Sequence, residues 1–264
     1  MANLRVVNFE TGEDMSELYT LRHRNQDRAY RGIHKGRGRD FTSANMETIH
    51  EVYEALTTAQ CGYLMLLQCY VSYDGGPMIN PDKTPMKKSD MKSVLQLDSK
   101  PRTFYDFYKA CVTHGIICEN QGGTFSVNER YHFKGQFDDQ YVIKSYTTKI
   151  KRVYREVKAS DIGLIYRMLP FVHMETNALC GNPFEKDPSN ISWFNRKELA
   201  EAIGVNPDFL GRRLPKMKFD KEYVIARIKV GKEPERYTFN PKVFYRQNKT
   251  PETTLQAMFN IKGR

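Results

Sequence analysis

The 264-residue sequence predicts an α+β fold, mainly α, in which two successive units of three helices closed by a β-hairpin follow a short N-terminal β-hairpin. Three observations predict it. Runs of helical periodicity are broken by Gly- and Pro-rich loops, pairs of alternating apolar segments are joined by turn residues, and the whole order recurs along the chain.

The recurrence is visible without any alignment. "GYLMLLQCYVSYDGGPMINPDK" (62 to 83) lies over "GLIYRMLPFVHMETNALCGNPFEK" (163 to 186) at an offset of 101 or 102. Further on, Met91, Val94, Leu95 and Leu97 match Leu199, Ala202, Ile203 and Val205 at 108, and Phe125, Val127 and Asn128 match Tyr237, Phe239 and Asn240 at 112. A slowly growing offset is what small loop insertions leave in a repeated unit.

In the first unit, Leu64, Leu67 and Val71 share one side of a helix over 58–73, and a loop "DGGPMINPDKTP" ends it. A short helix over 87–97, the corner "LDSKP" and a longer helix over 102–115 follow. "IICEN" and "TFSVN" then alternate about "QGG", which reads as a hairpin. The second unit repeats the series with helices over 160–174, 196–204 and 207–217, and a hairpin pairing "EYVIARIKV" with "ERYTFN". Phe125, Val127, Tyr237 and Phe239 fall on the inward face of the second hairpin strands. This is the order of a winged helix-turn-helix.

The expected division is an N-terminal hairpin and basic arm over 1–40, winged-helix units over 41–136 and 159–247, a basic linker over 137–158 and a tail over 248–264. "LRVVNF" and "ELYTLRHR" flank the turn "ETGED" in the N-terminal hairpin.

Forty-one Lys and Arg against 31 Asp and Glu leave a net charge of +10, which favours polyanionic partners. The excess is concentrated: residues 22–39 carry seven cations against one acid, and residues 144–158 carry six against one. No apolar window is long enough to span a bilayer and the first residues lack a signal-peptide core, so a cytoplasmic protein with no membrane partner is expected. Cys61, Cys69, Cys111, Cys118 and Cys180 are odd in number and lack C-x-x-C spacing, as expected of reduced thiols.

In a helix-turn-helix the second helix reads base edges while flanking cations hold phosphates. The expected base readers are therefore Arg102, Thr103 and Tyr105 in the first unit and Asn206, Arg212 and Arg213 in the second, since Arg pairs with guanine and Asn with adenine. Asp208 lies beside them. Expected phosphate contacts are Lys87, Lys88, Lys100 and Lys109 in the first unit and Lys216, Lys229 and Lys232 in the second. Lys149, Lys151 and Arg152 add to these from the linker, and Arg37 and Arg39 from the arm.

The wing endings "TFSVN...FKG" and "RYTFNPKVFYR", with the order of elements around them, resemble the winged-helix family of plasmid and phage replication proteins of Gram-positive bacteria. The resemblance spans about 57–136 and 159–247 and rests on Phe125, Asn128, Lys134, Tyr237, Asn240, Pro241 and Phe244. The first unit departs from it at Glu129, where the second has Pro241. It implies DNA binding in replication or transcription control of a mobile element.

No catalytic constellation accompanies these features. Gly231-Lys232 lacks the rest of a phosphate-binding loop, and the six histidines are isolated rather than paired for metal-dependent nicking. "HKGR" (34 to 37) precedes both units, and Asp138 with Asp139 lacks a third ligand. A non-enzymatic protein without cofactor or metal is expected, with double-stranded DNA as partner. The alternative is a winged-helix interaction factor that binds host replication or transcription machinery. The sequence sets no oligomeric state.

Overall fold

The run "TAQCGYLMLL" carries apolar residues on every side, so its helix needs a fully buried position. In a computed structural model of the chain it lies in the hydrophobic core of residues 40–264. The structure describes residues 40–73, 76–135, 141–219, 222–229, 235–247 and 253–259, with Thr11, Gly12, Asp14 and Gly231. The chain divides at residue 39/40. The expected N-terminal hairpin, with Arg37 and Arg39, lies outside the described residues, as do Asp138, Asp139 and Lys232.

The first half runs β1 (Phe41–Asn45), α1 (Ile49–Ala55), α2 (Thr58–Leu67), α3 (Lys88–Val94), α4 (Pro101–Thr113), β2 (Ile117–Asn120), β3 (Thr124–Val127) and β4 (His132–Phe133). The second runs β5 (Val142–Tyr146), α5 (Thr147–Val153), α6 (Ala159–Met168), α7 (Arg196–Ala202), α8 (Pro207–Arg213), β6 (Lys218–Phe219), β7 (Glu222–Tyr223), β8 (Ile225–Ile228), β9 (Arg236–Phe239) and β10 (Phe244–Tyr245). Helix α9 (Thr253–Ala257) follows. The fold is α+β with small antiparallel sheets.

Each half contains the expected series of three helices and a hairpin. The left-handed residue that ends the first helix of each pair falls at the same step, Gln96 (φ 56°) and Gly204 (φ 67°). Leu97 N then donates to Lys92 O, as Val205 N does to Ala200 O. In α4, Pro101 opens the helix and Phe104, Phe107 and Cys111 turn inward, while Gly115 (φ 62°) ends it. In α8, Asn206 caps the helix and only Leu210 is buried.

The recurring Asn after each second hairpin strand is a clasp. Asn128 donates from its side chain to Gly115 O and accepts from Arg130 N, while its carbonyl accepts from Tyr131 N and His132 N. Asn240 likewise donates to Tyr223 O, accepts from Lys242 N, and receives Val243 N and Phe244 N. Both turn the chain from hairpin into the next strand.

Those strands meet in a four-stranded sheet of order β10-β5-β1-β4 that the sequence does not announce. Its register is two-fold symmetric. Ser43 faces Lys144 at the centre, Phe41 faces Tyr146 and Asn45 faces Val142. On the outer strands, Ala44 faces His132 as Ser145 faces Phe244, and Ser43 faces Phe133 as Lys144 faces Tyr245.

Helices α2 and α6 obey the same symmetry. A Cβ on Gly62 would overlap the carbonyl oxygen of Ala159, and a Cβ on Gly163 would overlap that of Thr58. Gly62 and Gly163, like Thr58 and Ala159, are matched positions at an offset of 101.

The segment expected to be a basic linker, 137–158, is not one where it is described: residues 141–158 supply a central strand and α5. Val142, Ile143, Ile150 and Val153 are buried, the last three in one hydrophobic cluster that runs from Ala44 to Phe244. The lysines between them give the segment its basic composition, while their stems cover apolar surface and their charges reach out. Arg167 adds a further tie, donating to Ile203 O on one side and to Tyr53 O and Leu56 O on the other. Among the described residues no helix is long and apolar enough to cross a membrane.

The two-fold symmetry is one of backbone register, and side chains differ at most matched positions of the sheet. His132 stands where the second half has Phe244; its Nε2 lies 2.7 Å from Tyr166 Oη, and its Nδ1 has no hydrogen-bond partner among the described residues. Burial pushes its pKa from 6.5 down to about 3.

Two outcomes follow from this packing. Ala in place of Gly62 or Gly163, which in an exposed helix gains about 1 kcal/mol, should here lower the urea midpoint through overpacking of about 1–3 kcal/mol; a raised midpoint would mean that the helices do not cross there. Between pH 6.5 and about 3 the unfolded chain takes up a proton that folded His132 refuses, so stability should fall with acidification, with this residue contributing up to about 1.4 kcal/mol per pH unit. The double substitution His132→Phe with Tyr166→Phe should flatten that dependence, measured by urea unfolding across the range.

Candidate nucleic-acid interface

Helix α4 buries Phe104, Phe107 and Cys111 and so presents the residues between them outward. Arg102, Thr103, Tyr105 and Lys109 are all exposed, with Lys100 just ahead of them. Arg102 approaches Asp106 at 4.0 Å, but their side chains are 96% and 68% exposed, so the pair is weak and the guanidinium remains available. Tyr105 is 54% exposed, its ring edge against Phe104.

The hairpin β2–β3 is fastened to this helix. Tyr108 stacks on Phe104, meets Phe125 edge-on, and donates its hydroxyl to Glu119. Lys88 lies 4.1 Å over the Tyr108 ring. It is a half-buried strut, whereas its neighbour Lys87 is exposed.

The second half differs in chemistry. Arg212 is exposed on α8, with Asp208 and Phe209 beside it, and Lys216 and Lys229 are exposed beyond. Arg213, expected as a reader, turns inward instead: its Nε donates to Asp161 Oδ1 at 2.8 Å and its Nη2 to Oδ2, and the Asp161 side chain is only 12% exposed. The residue is a brace between α8 and α6. Asn206 is also committed, since its side-chain oxygen accepts from Asp208 N and Phe209 N, and a bidentate pair with adenine needs that oxygen.

Of the three cations in the former linker, Lys149 is bound by Glu222, which also holds Lys242. Lys151 is half-buried 3.9 Å over the Tyr70 ring, and burial lowers its pKa. Arg152 is exposed. Burial likewise lowers the pKa of Lys144.

Sequence reasoning missed one position. Arg196, exposed in the first turn of α7, is the counterpart of Lys88 at the offset of 108 and could have been found from it. Gly211 makes room for its side chain, since a Cβ there would lie 2.9 Å from Arg196 Nη1. Around it, Glu235 accepts from Arg196 N and the Tyr237 hydroxyl and lies 3.7 Å from Arg227, which fixes the second hairpin as Tyr108 and Glu119 fix the first.

The structure thus leaves Lys87, Lys100, Arg102, Thr103, Tyr105 and Lys109 outward in the first half, and Arg212, Lys216 and Lys229 in the second. Arrayed on helices and hairpin ends, such groups can meet phosphates and base edges. Comparison of the chain with protein-family models, with curated proteins and with solved structures finds no match in any of the three.

Because Arg213 is a brace, Arg213→Ala should lower stability by about 2 kcal/mol, short of the 3–5 kcal/mol typical of a fully buried pair. Asp161→Ala should cost a similar amount, and the double variant much less than the sum. Additive losses in urea unfolding would sink this assignment.

Proposed function

We propose that the two halves are winged helix-turn-helix units and that the protein binds double-stranded DNA sequence-specifically through α4 and α8. In this reading it acts in the cytoplasm as a replication initiator or transcription regulator of a phage or plasmid, without catalysis. The observation that carries the reading is the exposed face of α4. A helix held from behind by Phe104 and Phe107 offers Arg102, Thr103, Tyr105 and Lys109 outward, ahead of a hairpin locked to its side. Helix and hairpin so arranged suit a major groove and its flanking phosphates. The net charge of +10 supplies long-range attraction.

Fluorescence anisotropy on labelled duplexes tests this. Five exposed cations flanking the two helices, Lys87, Lys100, Lys109, Lys216 and Lys229, imply a log–log salt slope of about −4.5. Arg102→Ala should cost about 1–3 kcal/mol on a preferred duplex and little on a scrambled one. Lys109→Ala with Lys216→Ala should weaken both alike and reduce the slope by about two. Absence of salt-dependent binding would overturn the proposal in favour of the host-protein partner.

A further inference from the structure

We infer that Phe209 reads the 5-methyl group of a pyrimidine, thymine or 5-methylcytosine, in the base pair next to a guanine held by Arg212. The inference rests on the reading of α8 as a DNA-contacting helix and adds the chemistry of the sequence that this helix selects.

Helix α8 has few groups to offer. Of its seven residues, Asp208, Phe209 and Arg212 are the exposed ones. Leu210 is buried and Arg213 is held by Asp161. Its first turn has no backbone N–H left to seat a phosphate. Pro207 carries none, Asp208 N and Phe209 N donate to Asn206 Oδ1, and Leu210 N donates to Asn206 O. The Asp208 carboxylate repels a phosphate from that end, whereas in the major groove it can accept from an amino group such as cytosine N4. The outer face of α8 therefore suits base edges, met by side chains.

Phe209 differs from the other exposed rings. Tyr73, Tyr105, Phe184, Phe209 and Tyr223 are the exposed aromatic side chains among the described residues. Tyr73 lies under Lys134, Tyr105 against Phe104, Phe184 against Tyr141 and Arg246, and Tyr223 under Lys218. Phe209 has no ring or cation partner among the described residues and lies outside the hydrophobic cluster. It has no polar atom of its own. Along the major groove the pyrimidine 5-methyl is the apolar group among hydrogen-bond donors and acceptors, and a phenyl ring is suited to cover it.

Arg212 sets the neighbouring base. It follows Phe209 by three residues, so the two side chains share one face and are displaced by about 4.5 Å along the helix axis, close to the roughly 3.4 Å between stacked base pairs. Arg212 is exposed and makes no ion pair among the described residues, although Asp208 stands four residues before it. Its guanidinium can then take O6 and N7 of guanine.

Removing one methyl group at a time tests this on the full chain. In a duplex selected from random sequence by the protein, each thymine is replaced in turn by uracil, which differs only in lacking the methyl, and binding is followed by fluorescence anisotropy. One thymine beside a guanine should lose about fourfold in affinity, as expected for one buried methyl-sized group. In Phe209→Ala, thymine and uracil at that place should bind alike, and Phe209→Leu should keep most of the difference. With cytosine there instead, 5-methylation should strengthen binding by the same factor. Arg212→Ala should abolish the preference for the adjacent guanine.

Tight binding with no uracil-sensitive thymine, sensitivity that persists in Phe209→Ala, or a sensitive thymine with no guanine beside it would overturn the inference while leaving DNA binding intact, with Phe209 then open to a protein partner. Failure to select any duplex would overturn the reading of α8 as a DNA-contacting helix, and this inference with it.

Discussion

Everything in residues 40–264 depends on the contact between α2 and α6, where two backbones come so close that neither Gly62 nor Gly163 has room for a side chain. A contact that close fixes both separation and crossing angle, since any larger residue would wedge the helices apart. The same axis then sets the pairing of β1 with β5, and through the Asn128 and Asn240 clasps it sets where each hairpin leaves its helices. The placement of the outward faces of α4 and α8 is thus decided at the buried centre, far from the surface they form.

Much of this was legible in the sequence wherever a local rule applied. Helical spacing found α2, α3, α4, α6, α7 and α8, and alternation around turn residues found both hairpins. The central sheet was not legible, because no local rule points to it. β1 reads "FTSAN", with little apolar signal, β4 and β10 are two residues each, and β5 hides its Val142 and Ile143 beside Lys144. Their pairing comes from the fold, not from their own propensity.

The candidate site divides in the same way. Arg102, Thr103, Tyr105 and Lys109 could be placed outward because Phe104, Phe107 and Cys111 mark the inward face. Arg213 could not be placed, since only its distance from Asp161, 52 residues earlier in the chain, separates a brace from a reader. Asn206 had two roles open to it, and the helix start beside Pro207 took the capping one. Charge runs are similarly ambiguous: Lys149 and Lys151 were drawn into ion pairing and aromatic contact by neighbours that the sequence keeps far away.

The four-stranded sheet also governs how the chain can be assembled. Its two inner strands, Phe41–Asn45 and Val142–Tyr146, are separated by the whole first half, and the last, Phe244–Tyr245, arrives near the end. During synthesis the helices and hairpin of the first half can form as they emerge, but β1 stays without its inner neighbour and α2 keeps its glycine face open until the second half appears. Pairing over such separations makes for slow folding compared with a helical bundle of this size. Until residues 141–168 are made, β1 has no inner neighbour to pair with and the glycine face of α2 has nothing to pack against.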